Sequence, residues 1–449
     1  MGLTNTSSSL LHLSRKLSWL AAVLAVILLA APSALAQQPD TTKAGMRNIE
    51  LANVDVAPAA VDTRGWLLMD PDIRTELGGG VTNLYNFKFD KAERQFRSLR
   101  RRYEQHPLPY FMMGLSAWWK IMPTNVTTKQ YDKVFFAYMD TATTKAAALY
   151  DQDRKNYEAC FFLSAAYGFS SRLHAERHDW TRATVEAKRA LSYLEKSKEA
   201  NGLSPEFLFG QALFNYYAVW IGEEYPWLRP VLLFFPKGNK ELGLLQLRNV
   251  ADNAVYTAPE AKFFMMKILT SEREGQTESA FPITRSLATD YPDNPYFQRI
   301  YAMQCFNRGD FRECERVSLD IMNKFNQGQT GYDGFSGRYA TYYLGFIQQN
   351  KYKDMAKAKA YFQRCIVFSE TTDQVKSGYY QYANLNLANI ATDENDLVAA
   401  RRHYQAVLAS AARDSDIYEE AQEFMQANKR SNSSKKADRN SRTMVREGQ

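Results

Sequence analysis

Apolar residues recur at helical spacing along most of this 449-residue chain, separated by short polar or glycine-containing breaks rather than by long loops. The pattern also repeats. Gly275, Ala280, Thr284, Leu287 and Pro292 are followed 34 residues later by Gly309, Cys314, Ser318, Ile321 and Asn326, with Phe311 just after the second glycine. A helix–turn–helix of that length with small residues at fixed positions is the tetratricopeptide pattern. Its physical basis is steric, because two antiparallel helices approach closely only where one side chain is small.

The same marks recur on both sides with longer linkers. Ala92, Phe96 and Leu99 end one unit and Met113-Gly114 opens the next. Ala183, Ala187 and Ala190 mark another second helix. Leu344-Gly345 with Ala358, Phe362 and Cys365, then Leu387-Ala388 with Ala400, Tyr404 and Val407, supply two more. The expected fold is all-α, a tetratricopeptide-like α-solenoid of about eight helical hairpins from residue 74 onward, capped by a helix over 417–427 and ending near 428.

In this repeat class the first helix of each pair lines the concave face. That register selects Lys262 and Met265, then Tyr296, Arg299 and Met303, then Tyr339, Tyr342 and Phe346, and finally Tyr382 and Asn389 as partner-binding residues. Tyrosines, methionines and a few cations suit an extended peptide, held by aromatic anchors and by charge-assisted bonds to its carboxylates.

Residues 205–250 interrupt the pattern. A helix runs to about Trp220, a Pro- and aromatic-rich hairpin follows over 221–238, and helix resumes near Asn239, since Pro226, Pro230 and Pro236 forbid one continuous helix. The distinctive residues are Gly210 followed by Phe214-Asn215, the apolar run at 232–235, Gly238-Asn239, and Glu241-Leu242-Gly243-Leu244. On these residues the chain resembles the tetratricopeptide repeat domain-39 family. The resemblance implies a helical-repeat architecture over roughly residues 75–410 and a non-enzymatic role. The hairpin has two readings. It folds back as a plug inside the array, or it presents Trp227, Phe234 and Phe235 to a membrane or partner.

The ends differ from the body. Arg15 and Lys16 precede an apolar run from Leu17 to Ala31, and Ala34-Leu35-Ala36 then forms a small-x-small cleavage pattern. This reads as a signal peptide cleaved after Ala36, which places the protein in the periplasm or cell envelope. Residues 37–73 read as a loose lead-in. The tail 429–449 holds seven basic residues against two acidic ones and almost nothing apolar, as a disordered end does. With both ends set aside the body carries no net charge. The formal charge of +7 is therefore a property of the termini and argues against a nucleic-acid partner.

Chemistry is scarce. His174 and His178 lie one helical turn apart around Glu176, without a third ligand, so neither a metal nor a cofactor is expected. Gly78-Gly79-Gly80 lacks the Lys-Ser/Thr of a phosphate loop and reads as a hinge or helix start. Cys314 and Cys365 occupy small core positions; Cys305 and Cys314 lie across one tight turn, where a disulfide is conceivable but core filling is the favoured reading. Catalysis has no candidate. The sequence thus points to an exported, non-catalytic scaffold for a protein or peptide. The alternative is a membrane-peripheral protein using 225–235 and the basic tail.

Overall fold

The computed structural model describes residues 61–428, apart from 225, 227, 228 and 230–235. The segment read as a signal peptide, the lead-in up to residue 60, Trp227, Phe234 and Phe235, and the basic tail lie outside the described residues. Among the described residues there is no strand, and the helices pack in consecutive pairs, consistent with an α-solenoid. The chain divides into two compact units with the boundary between Asn294 and Pro295, inside what the sequence presents as one array.

The first unit pairs α1 (Pro71–Tyr85) with α2 (Phe89–Arg102), α3 (Leu108–Ile121) with α4 (Asp132–Gln152), and α5 (Tyr157–Glu176) with α6 (Trp180–Lys196). It continues with α7 (Pro205–Glu224) against α8 (Lys240–Asn253), and α9 (Ala258–Leu269) against α10 (Thr277–Asp290). The second unit pairs α11 (Pro295–Asn307) with α12 (Phe311–Asn326), α13 (Gly334–Ile347) with α14 (Met355–Thr371), and α15 (Gly378–Asp393) with α16 (Leu397–Ser410). A last helix covers 416–428.

One turn chemistry closes four of these eight pairs. The first helix ends on a left-handed residue and the next residue caps the second helix. His178-Asp179, Gly309-Asp310, Lys353-Asp354 and Asn395-Asp396 all follow this form, with φ between +57° and +76° at the first position. Each aspartate then accepts the backbone N–H three residues on, from Arg182, Glu313, Lys357 and Ala399 respectively. In three of these turns the aspartate N–H also reaches back five residues, to the carbonyls of His174, Cys305 and Ala391, which is the closure of a Schellman motif.

Small residues then set how closely the helices nest. A Cβ at Gly243 would stand 2.7 Å from the Tyr216 backbone nitrogen and 2.8 Å from the Ala212 carbonyl oxygen, so α7 and α8 touch backbone to backbone. The repeat-marking triplets are buried as their register requires: Ala280, Thr284 and Leu287, Cys314, Ser318 and Ile321, and Ala358, Phe362 and Cys365 are all fully covered. Gly78-Gly79-Gly80 departs from expectation. The triplet lies inside α1, where Gly80 admits the Phe96 ring, so it is neither a hinge nor a helix start.

Within the segment 61–70, expected to be loose, residues 66–68 are packed. Trp66, Leu67 and Leu68 are buried, and the Trp66 ring meets Tyr157 and Phe207. The Leu68 N–H donates to Glu158, whose other oxygen is 3.0 Å from His106 Nε2. These contacts are non-local and leave no periodic trace in the sequence.

Within the first unit the array returns to its own beginning. Asn294 donates to the Tyr85 carbonyl, Lys88 pairs with Asp293 at 3.3 Å, and the Tyr85 and Tyr291 rings stand 5.4 Å apart. At the centre Glu260 accepts hydrogen bonds from Tyr85 Oη (2.8 Å) and Trp119 Nε1 (2.9 Å). Burial pushes the Glu260 carboxyl above the usual range, while the Tyr85 bond, the nearby Arg172 guanidinium and the Trp119 bond pull it back. One step in the stacking is open. α5 packs along α6 and α7 along α8, but α6 and α7 hardly meet.

Candidate functional site

In the second unit the first helices of successive pairs carry a row of alternating guanidinium groups and aromatic rings. Arg299 on α11 lies between the rings of Tyr296 and Tyr339, 5.2 Å from each centroid. Arg338 on α13 continues the row, 5.4 Å from Tyr339 and 5.8 Å from Tyr379 on α15. The Tyr339 and Tyr379 rings lie 4.4 Å apart, tilted by 41°, and the Tyr379 and Tyr343 hydroxyls are 2.6 Å apart. Such a guanidinium keeps its charge while its faces are covered by π-systems, each contact contributing about 0.5–2 kcal/mol.

Local packing fixes the row. A Cβ at Gly345 would come within 2.8 Å of the Phe362 ring, so α13 and α14 approach closely and hold the α13 side chains in place. Asp333 caps α13 by accepting the Phe335 N–H at 3.0 Å; burial raises its carboxyl, against the opposing effect of Arg299. Arg338 is only 2% exposed, and its Nε and Nη1 atoms have no hydrogen-bond partner. A buried cation flanked by half-buried tyrosines gives the surface of the row a positive potential, which favours an approaching carboxylate.

The residues selected from the repeat register fall into two groups. Tyr296, Met303, Tyr339, Phe346, Tyr382 and Asn389 are half-buried and retain accessible surface. Asn389 already donates to Glu420 and accepts from Tyr404, and Phe346 packs on Phe306 at 4.9 Å. Arg299 and Tyr342 are buried, and burial raises the Tyr342 hydroxyl. In the first unit Met265 is buried in the cluster of Tyr216, Trp220 and Leu247, while Lys262 bonds Ser286 and Asp290. Arg338 and Tyr379 were missed by the register. Arg338 lies immediately before a selected tyrosine, and its role depends on a ring from the following pair, which spacing does not show.

The cysteines are all free and buried, and burial raises their thiols, to about 11 for Cys160 and Cys305 and about 12 for Cys314 and Cys365. The His174 ring stacks on Phe136 at 4.3 Å, with Asp179 at 3.6 Å and Glu186 at 3.9 Å, whereas His178 turns to Trp180. Among the described residues no group of three or more His, Cys, Asp or Glu is placed to hold a metal ion, and no helix is long and apolar enough to cross a membrane. Neither a protein-family model nor a curated protein matches the chain.

Proposed function

We propose that the protein is an exported, non-catalytic tetratricopeptide-type scaffold that holds an extended, carboxylate-bearing segment of a partner protein on its second unit. The resemblance to the tetratricopeptide repeat domain-39 family belongs to this reading. The observation that carries it is the continuous row Tyr296–Arg299–Tyr339–Arg338–Tyr379 on the first helices of three successive pairs. Rings supply apolar anchors of low conformational entropy and the guanidinium groups supply fixed positive charge. An extended chain contacts such a row at regular intervals through its rings, and its acidic side chains are attracted by the positive charge that lies beneath them.

Selection of a random peptide library on the immobilised full chain tests this. Enriched sequences should combine acidic and aromatic residues. Their affinity should fall at least tenfold for the double variant Tyr296→Ala/Tyr339→Ala, with the helical circular dichroism unchanged, and should weaken with added salt. Enrichment of peptides without carboxylates, or affinity indifferent to both substitutions, would overturn the assignment. The second role, at a membrane through residues 225–235 and the basic tail, separates cleanly: it requires flotation with anionic liposomes that is lost on deleting 429–449 and replacing Phe234 and Phe235.

A further inference from the structure

The opening between α6 and α7 is a cavity of about 710 Å³. Three helices present small or apolar side chains to it at helical spacing: Ala165 and Gly168 from α5, Ala187 and Ala190 from α6, Gly210 and Leu213 from α7. A Cβ built on Gly168 meets nothing within 4 Å. Folded interiors seldom leave voids much larger than a water molecule, and an apolar cavity of this kind takes apolar guests in preference to water. Its volume lies within the range of small-molecule sites. At about 30 Å³ for each heavy-atom group, it accommodates on the order of twenty such groups.

Charge at the rim selects among apolar guests. The exposed side chains of Arg229 and Lys237 border the cavity, so it opens to the surface beside two cations. The one carboxylate among the lining residues, Glu223, lies 3.7 Å from Lys240 and 3.6 Å from Arg273, cations that also pair with Glu274 and Glu224, and stands against three cations of the lining, Arg172, Arg229 and Lys237. Inside, Arg172 lines the wall with its guanidinium 4.5 Å from the Trp118 ring. The balance around the lining is positive.

We propose that this cavity binds a single-chain anionic amphiphile, a long-chain fatty acid or an equivalent acyl chain, with the chain among α5, α6 and α7 and the anionic head at Arg229 and Lys237. The site belongs to the first unit and is independent of the peptide-binding row of the second.

The test uses the full chain, a polarity-sensitive fluorescent fatty acid as probe, and palmitate as competitor. Saturable binding at one site per chain is expected, with displacement by palmitate. Gly168→Phe and Ala190→Leu fill the cavity from two different helices and should each weaken binding at least tenfold at unchanged helix content. Two variants keep the test decisive if one of them folds poorly. Lys237→Glu with Arg229→Glu should weaken palmitate several-fold and leave hexadecylamine unaffected or improved. Absence of saturable binding to the unmodified chain would overturn the proposal, as would both cavity-filling variants binding like the unmodified chain. Equal affinity for palmitate and hexadecylamine would overturn the assignment of the head group.

Discussion

Replacing Glu206 by glutamine removes one charge and turns one acceptor into a donor at the junction of α7 and α9. In the native chain Glu206 is 3% exposed. One oxygen accepts the N–H groups of Val255 (2.6 Å) and Tyr256 (2.9 Å), and the other accepts the N–H (3.0 Å) and hydroxyl (2.7 Å) of Thr257. These donors precede α9, so the carboxylate also faces the positive end of that helix dipole. The amide retains at most one acceptor oxygen and directs an NH₂ group at donors that remain buried. Hydrogen bonds to a charged group contribute about 1.5–3 kcal/mol each, and an unsatisfied buried donor costs about 1–3 kcal/mol. Some relief comes from no longer burying a charge, so a net loss of about 3 kcal/mol is expected. That is a large share of the roughly 5–15 kcal/mol of a typical domain. Repeat arrays need not unfold in one step, so global urea unfolding should be paired with amide hydrogen exchange read on peptides spanning 250–262. Exchange at 255–257 should accelerate about a hundredfold. A loss below about 1 kcal/mol with unchanged protection at those amides would refute the reasoning.

Two further predictions concern other links. Burial and the neighbouring Asp140 push Glu186 up to about 7, and its Oε2 has no hydrogen-bond partner. A carboxyl raised in the folded state favours the neutral form, so its contribution is present below the unfolded value near 4.5 and is lost as pH rises through about 7. Glu186→Gln should therefore gain on the native chain by about 1–3 kcal/mol at pH 8, a range reduced for partial solvent screening, with the gain vanishing below pH 5; a pH-independent difference in melting temperature would contradict this. Gly243→Ala forces a Cβ against the Tyr216 and Ala212 backbone and should cost about 1–3 kcal/mol. An unchanged urea midpoint would show that α7 and α8 are not in backbone contact.

What the sequence disclosed follows from the range of each interaction. The triplets Ala280-Thr284-Leu287 and Cys314-Ser318-Ile321 are legible because helix nesting repeats locally, and their full burial follows. The Asp caps at 179, 310, 354 and 396 are equally local, each directly after a left-handed residue. Ala183, Ala187 and Ala190 share the nesting pattern, yet Ala187 and Ala190 line a cavity, because a small residue signals close approach only when a neighbouring helix arrives. The Glu260 and Glu206 clusters and the Arg338–Tyr379 contact join residues far apart or on different pairs, and no single period encodes them. The packing of Trp66 against Tyr157 and Phe207 is hidden in the same way.

The proposed function is tested most directly by hydroxyl-radical footprinting of the chain with and without a selected acidic peptide, since tyrosine, methionine and phenylalanine side chains report their own accessibility. The account predicts protection concentrated at Tyr296, Met303, Tyr339, Phe346 and Tyr382, with residues of the first unit unchanged. Protection confined to α12, α14 and α16, or spread over the first unit instead, would contradict it.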